Sequence, residues 1–207
     1  MYIPKYFLLK DESFINEIIE TYSFATLISQ HNGELYGTHM PLIWDASERV
    51  LYGHFSKKNE QWRDIEHQRV LVIFQGPHCY ISSTWYETDR AVSTWNYVVV
   101  HLYGKVKRMT DQREIYKSLN QLTTKYEGKG SSNELSKIDS KYLEAMMKEI
   151  VPFKINVETV QAKAKLSQNH PKERQKKIIE KLEKSEDKNK QLISAFMKKN
   201  LMRDNRF

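Results

Sequence analysis

The sequence predicts a mainly β (α+β) fold: an antiparallel barrel or sandwich with peripheral helices and a basic helical tail. Between residues 24 and 108, most segments are rich in β-branched and aromatic residues and are joined by short turns. Amphipathic stretches with a 3.6-residue period lie beside these segments. The last quarter of the chain is polar, helical in pattern and strongly basic.

The first predicted element is a helix over residues 12–22, with Asp11 as a candidate N-cap. Its apolar residues recur at helical spacing: Phe14, Ile15, Ile18, Ile19 and Tyr22. The strands "FATLIS" and "LYGTHMPLIW" then form a hairpin, because the "HNG" between them supplies the positive φ of a tight turn. After a second turn, "DASER", comes the strand "VLYGHF".

A short helix around Gln61–Glu66 precedes the strand segments "VLVIFQG", "HCYIS" and "TWNYVVVHLYGKVKRM". In the last of these, the two-residue period gives one apolar face and one face with polar tips. The polar-tipped face contains Tyr97, Val99, His101 and Tyr103. This face suits a ligand or a second subunit, or it is simply the end of a barrel core.

Thr110 is a candidate N-cap for a helix that ends near Gly128, and "SKYLEAMMKEI" predicts another short helix. "VPFKINV" and the alternation that follows it return to strand. From Pro171 onward, two short apolar stripes separated by "EKSEDKNKQ" predict a helical tail. We expect a barrel domain over residues 1–168 and a basic helical extension over residues 169–207.

The net charge of +7 is concentrated at the carboxyl end. Residues 161–207 contain 14 Lys and Arg against 6 Asp and Glu, a charge of +8, so the rest of the chain carries −1. This tail suits an anionic partner such as DNA, RNA or a membrane surface, or it is a solvated helix face. The single cysteine, the lack of a signal-like amino terminus and the lack of a long apolar run predict a soluble cytoplasmic protein.

The pattern favours neither a metal site nor a hydrolase. His39, His54, His78 and His101 lack the short two-ligand spacing of a zinc site, and Cys79 has the setting of a packed core residue. No G-x-S-x-G elbow is present. We therefore expect no metal ligands and assign no catalytic residue.

The stretch "VLYGHFSKKNEQW" carries a possible phosphate site. Ser56, Lys57, Lys58 and Asn59 place a hydroxyl, two cations and a helix cap at a strand-to-helix junction, which is what a phosphate requires. An ordinary polar loop explains the same residues. Further along, aromatic side chains and polar donors crowd together, which suits a planar heteroaromatic ligand, a subunit interface or a barrel core.

Six motifs in order resemble the PaiB family of FMN-binding negative transcriptional regulators. They are "MYIPKYF", "GTHMPL", "GHFSKKNEQW", "VIFQGPHCYIS" followed by "WY", "TWNYVVVHLYG" and "KLSQN". The resemblance covers residues 1 to about 170. It implies a split β-barrel of the pyridoxamine-phosphate-oxidase type, working as a homodimer with FMN between the subunits. It also implies repression of genes for sporulation and secreted degradative enzymes.

The resemblance places the FMN phosphate at Ser56, Lys57 and Lys58, and lays the isoalloxazine along the preceding strand. The complete set of implied cofactor-binding residues is His39, Met40, Pro41, His54, Ser56, Lys57, Lys58, Asn59, Gln75, Trp95 and Asn96. Gln75, Trp95 and Asn96 are expected to reach the same cofactor, either from the same subunit or from the other. This chain has Lys57 where the family usually has arginine, so a point charge replaces a bidentate guanidinium.

Three hypotheses follow from these observations. The first is an FMN-binding regulator whose basic tail contacts DNA, although "PKERQKKIIEKLEK" interleaves glutamates and no DNA-binding motif is evident. The second is an FMN-dependent oxidoreductase or a haem-degrading enzyme on the same barrel. The third is a dimeric scaffold with an empty groove.

Overall fold

The computed structural model describes residues 1–88 and 90–204. Its strands are β1 Phe24–His31, β2 Glu34–Pro41, β3 Ile43–Asp45, β4 Val50–Ser56, β5 Arg69–Ile81, β6 Thr94–Arg108 and β7 Ile150–Lys165. Its α-helices are α1 Glu12–Thr21, α2 Gln112–Glu127, α3 Ser140–Met147, α4 Lys172–Glu183 and α5 Lys188–Asp204. Strands thus dominate the middle of the chain, as predicted.

The strands form one seven-stranded sheet in the order β2-β1-β5-β6-β7-β4-β3. β1 pairs antiparallel with β2 and with β5, and β4 pairs antiparallel with β3 and with β7. The alternation predicted in β6 is present except at one position: Val98, Val100 and Leu102 are buried on one face, and Val99 on the other face is buried as well. β2 and β3 are the two edges of the sheet.

Contacts divide the chain into two compact units. Unit 1 comprises residues 1–15, 75–100 and 161–207, and unit 2 comprises residues 16–74 and 101–160. The tail helices α4 and α5 therefore group with strand segments in unit 1. The predicted division at residue 168, into a barrel and a separable extension, stays a prediction.

In unit 1, the two tail helices pack their apolar sides inward. Ile178, Leu182, Ile193 and Met197 are fully buried. The ring of Phe196 lies 5.1 Å from that of Phe14 in α1, measured between centroids. The two apolar stripes read from the sequence therefore belong to the core of this unit.

In unit 2, the hairpin β1–β2 turns at Asn32 and Gly33, whose φ values of 53° and 82° are those of the predicted tight turn. Gly104 marks a close approach between β6 and β7: a Cβ there would lie 2.2 Å from the carbonyl oxygen of Asn156. Only glycine fits this position without moving the backbone. Phe55 and Phe153 pack in the core with ring centroids 4.7 Å apart.

Some boundaries differ from the sequence prediction. Asp111, not Thr110, caps α2, because its carboxylate accepts the N–H of Glu114 at 2.8 Å. The predicted helix over residues 61–66 is a single 3-10 turn at Glu60–Arg63. "VLVIFQG" and "HCYIS" are parts of one continuous strand, β5. The caps at Asp11 and Gly128 are confirmed.

Cys79, the single cysteine of the chain, lies in β5 and is buried. Burial raises the pKa of its thiol to about 11. The thiol is therefore protonated and unreactive at neutral pH, in keeping with the packing role predicted for it.

Candidate cofactor site

Ser56 to Asn59 form the loop after β4, in unit 2. Ser56, Lys57 and Lys58 are exposed, and neither lysine forms an ion pair with a described residue. The indole N–H of Trp62 donates to the carbonyl oxygen of Lys57 at 2.9 Å and braces the loop. One hydroxyl and two unneutralised ammonium groups are thus available at the end of the strand, and this donor set fits the phosphate of FMN.

The backbone amides of this loop are already used. The N–H of Lys57 donates to the carbonyl oxygen of Glu149 at 2.8 Å, and that of Asn59 donates to Ser56 at 2.9 Å. The carboxamide of Asn59 caps the following turn by accepting the N–H of Gln61 at 3.0 Å. The amides of Lys57, Asn59 and Gln61 therefore have partners within the chain. Phosphate binding at this loop stays a prediction, and the side chains are its exposed donors.

A buried network connects this loop to the end of β2. The amide group of Asn59 donates to the hydroxyl of Thr38 at 2.9 Å, and Thr38 donates to Gln61 Oε1 at 2.5 Å. Gln61 is fully buried, and its Nε2 donates to the hydroxyl of Ser29 at 2.8 Å and to the carbonyl oxygen of Tyr36 at 3.0 Å. Two stretches predicted to bind one cofactor, 39–41 and 56–59, are in this way fixed beside each other.

The predicted ring-binding stretch lies at the end of edge strand β2. His39 is exposed, its Nδ1 is 2.9 Å from the hydroxyl of Thr26, and its ring stacks on Phe24 with centroids 6.3 Å apart. Met40 points its side chain into the core, where it is 5% exposed. Met40 can therefore meet a cofactor through its backbone only, while His39 and Pro41 are accessible.

His54 has a different environment from its neighbours in the motif. It lines an apolar cavity of about 290 Å³ beneath α2 and α3, together with side chains such as Leu119, Leu135 and Met146. Burial lowers the pKa of His54. The imidazole is therefore neutral at pH 7, and its role in cofactor binding stays a prediction.

The predicted residues of unit 1 fall into two groups. Gln75 and Trp95 are exposed, and the Trp95 ring lies 5.6 Å from the ring of His78. Asn96 is fully buried on the opposite face of β6. Its carboxamide donates to the hydroxyl of Ser167 at 2.9 Å and accepts from it at 3.2 Å. Asn96 is thus already engaged, whereas Gln75 and Trp95 have exposed side chains.

Sequence reasoning missed Thr38 and Gln61, which hold the two stretches together. Neither has a local signal, because each acts through partners far away in the sequence. Trp62 was visible only as part of the "NEQW" motif, and its bond to Lys57 is a property of the folded loop.

Comparison with known proteins assigns the chain to a class of flavin-binding proteins. The model of the family described as "Putative FMN-binding domain" matches residues 1–159, so the chain belongs to that family. The chain is 40% identical over 205 residues to "Protease synthase and sporulation protein PAI 2" of Bacillus subtilis, covering 97% of this chain and 98% of that one. The predicted membership of the PaiB family is confirmed.

Solved structures share the fold at low identity. The flavocytochrome Anf3 from Azotobacter vinelandii has a TM-score of 0.62 at 15% identity, covering 79% of this chain and 72% of that one. The FAD and heme binding protein from Mycobacterium smegmatis has a TM-score of 0.59 at 15% identity, covering 76% and 72%. The predicted split-barrel class is confirmed, and the family supports FMN as the cofactor.

Two further findings concern the described residues alone. Within residues 1–88 and 90–204, no three His, Cys, Asp or Glu side chains converge as a metal site would require. Over the same residues, no helix has both the length and the apolar character needed to cross a membrane.

Proposed function

We propose that this chain is an FMN-binding homodimeric regulator that represses genes for sporulation and degradative enzymes. The observation that carries the proposal is the hydrogen bond between Thr38 and Asn59, which joins the stretch expected under the flavin ring to the stretch expected around its phosphate. The name of the Bacillus subtilis relative supports the link to sporulation and protease synthesis.

The chain's own groups would each have a defined task in holding FMN. Ser56 donates a hydroxyl hydrogen bond, and Lys57 and Lys58 neutralise the phosphate charge. The edge of β2 at His39 to Pro41 offers backbone groups to the flavin ring. FMN itself supplies redox chemistry when bound. The test is titration of the full-length protein with FMN: submicromolar to micromolar binding supports the proposal, and no binding at millimolar FMN overturns it.

The homodimer would involve the outer side of the β1–β2 hairpin in unit 2. Phe24 and Leu35 share one face of the hairpin, because Phe24 pairs with Pro41 and Leu35 with Gln30, and they are 66% and 79% exposed. Large exposed apolar side chains at the edge of a sheet favour pairing with another chain. Leu35→Lys is expected to give a monomer by light scattering, whereas Leu192→Lys on α5 serves as the control. A Leu35→Lys variant that stays dimeric contradicts this interface.

DNA contact is assigned to the exposed side of α4. Lys176, Lys177 and Lys181 are exposed there, although Lys176 lies 3.4 Å from Glu173 and Lys177 lies 4.0 Å from Glu87. Electrophoretic shifts of promoter fragments at about 50 mM salt test this assignment, because phosphate contacts are strongest at low salt. A shift that Lys181→Glu weakens supports direct repression. No shift on any fragment makes repression indirect.

An enzymatic role gives a different result in a simple assay. If FMN-loaded protein loses its visible flavin absorption under anaerobic NAD(P)H, the chain is a flavin oxidoreductase. If the purified protein carries haem, the haem-degrading alternative is favoured. A flavin that stays oxidised in this assay is the result expected of a regulator.

A further inference from the structure

Unit 1 contains a cavity of about 430 Å³ that the proposed function does not use. All of its described lining residues belong to that unit, and they come from the amino end, the stretch before β6, the end of β7 and the start of α4. A volume in this range is typical of small-molecule sites.

The lining is cationic. Arg90, Lys165 and Arg174 all line the cavity, and no carboxylate is found among its described lining residues. Glu87 fixes the position of Arg174, because Oε1 of Glu87 accepts hydrogen bonds from Nε and Nη2 of Arg174 at 2.9 and 2.8 Å. Among the residues that the structure describes here, one carboxylate thus accompanies three cations, so the cavity attracts anions.

Lys165 lines the same cavity, and its side chain is partly buried. Its ammonium group donates to the hydroxyl of Thr94 and to the carbonyl oxygen of Trp95 at 2.6 Å, which fixes its position. Burial and the neighbouring Lys163 lower the pKa of Lys165. An anion in the cavity would offset the cost of keeping this partly buried ammonium charged.

The phenol of Tyr86 lacks a partner. Its oxygen has almost no accessible surface and no hydrogen-bond partner among the described residues, although Tyr86 is one of the residues that line the cavity. The ring packs against the guanidinium of Arg174 at 5.1 Å and the ring of His170 at 5.3 Å, both measured to ring centroids. Because the oxygen is not accessible, Tyr86 can contact a ligand in the cavity through its ring only.

The wall beside Tyr86 is held in a specific backbone shape. Ser167 is buried with φ of 64°, a left-handed conformation that a residue with a side chain rarely adopts. Its hydroxyl is fixed by Asn96, and its carbonyl oxygen accepts the N–H of His170 at 3.0 Å. This turn directs the chain so that Asn169 and His170 line the cavity.

We propose that this cavity binds a small aromatic oxyanion, a carboxylate or a phosphate ester. The cations Arg90 and Lys165 attract its charged group, and the rings of Tyr86 and His170 contact its flat part. Arg174 holds the Tyr86 ring in place. The site uses none of the residues Ser56 to Asn59. Asn96, one of the residues predicted to bind FMN, also lines this cavity, but its carboxamide is bonded to Ser167.

The experiment is calorimetric titration of the full-length protein with phenyl phosphate, benzoate and the neutral benzyl alcohol. We expect at least one of the two anions to bind and the alcohol not to bind, and the preferred anion identifies the oxyanion class. Lys165→Gln is expected to weaken binding of the preferred anion about tenfold, the scale of a hydrogen bond to a charged group. Arg90→Gln weakens it as well, whereas Lys188→Gln, an exposed change on α5, does not.

Thermal melting separates a binding role of Lys165 from a structural one. Without ligand, Lys165→Gln is expected to melt at about the same temperature as the wild type, because the cost of burying the ammonium group offsets its two hydrogen bonds. With the anion present, its stabilisation is expected to be smaller than that of the wild type. Unchanged anion affinity in Lys165→Gln, or equal binding of benzyl alcohol, overturns the proposal.

Repeating the titration with saturating FMN identifies the site. Unchanged affinity for the anion supports a site separate from that of the flavin. Competition between FMN and the anion overturns the separate site and assigns the cavity to FMN. If FMN does not bind at all, the proposed function fails, while the anion titration still decides this inference by itself.

Discussion

Replacing Lys57 by alanine tests whether side chains, rather than backbone amides, hold the FMN phosphate. The N–H of Lys57 is bonded to Glu149, so its contribution is its ammonium group. That group lies 3.3 Å from the carbonyl oxygen of Lys148, a long contact that is easily given up. A charge-assisted hydrogen bond contributes about 1.5–3 kcal/mol, and exposure to salt places this one near the lower end. The expected loss is about 1.5 kcal/mol, or about tenfold in Kd.

The assay is fluorescence titration of FMN into the flavin-free full-length protein. Lys57→Arg is expected to bind FMN as well as the wild type or better, since a guanidinium offers two donors to one phosphate. Lys141→Ala, an exposed lysine on α3, removes the same charge elsewhere and should leave Kd unchanged. If Lys57→Ala binds FMN as tightly as Lys141→Ala does, the phosphate is not held at this loop and the reasoning fails.

Three further predictions concern unit 2. Gln61→Leu removes a fully buried carboxamide and leaves its hydrogen-bond partners unsatisfied, so the free energy of unfolding measured in urea should fall by about 2–3 kcal/mol. A decrease of less than about 0.5 kcal/mol would contradict the importance of this hydrogen-bond network. Burial lowers the pKa of His54, so on acidification the unfolded chain takes up a proton at this residue at a higher pH than the folded chain does. The free energy of unfolding should therefore fall as pH drops from about 6.5 toward the folded pKa, by at most about 1.4 kcal/mol per pH unit. His54→Leu should flatten this dependence, and an unaltered slope would count against it. Gly104→Ala places a Cβ 2.2 Å from the oxygen of Asn156 and should cost about 3 kcal/mol; a wild-type melting temperature would refute the close approach.

Local chemistry made parts of the fold predictable. Asp11 and Gly128 act within one turn of their own helices, so their sequence context was sufficient. Thr110 and Asp111 are adjacent and both can cap a helix. The choice between them depends on which side chain reaches the N–H of Glu114, and this is set by the path of the chain out of β6.

Strand continuity was harder to read. Gly76 and Pro77 together indicate a break, since proline cannot donate to a strand ladder and glycine weakens one. In the structure β5 runs through both residues. Glycine is needed at position 76 because β6 passes close to it: a Cβ there would lie 2.9 Å from the carbonyl oxygen of Val98.

The candidate site was predictable where the motif is contiguous and not where it depends on distant partners. Ser56, Lys57 and Lys58 stand together in the sequence, and the structure leaves all three exposed. The bond between Asn59 and Thr38 spans 21 positions and depends on the strand order. The cavity of unit 1 assembles from stretches more than 160 residues apart, which no local pattern reveals.

The thiol of Cys79 gives the unmodified chain a built-in reporter. Because it is the single cysteine and is buried with a pKa of about 11, a thiol-specific reagent can react with it only when β5 opens. The labelling rate in the native protein therefore measures the free energy of that local opening. Adding FMN or an aromatic anion during labelling would reveal whether either ligand slows the opening, with no engineered probe.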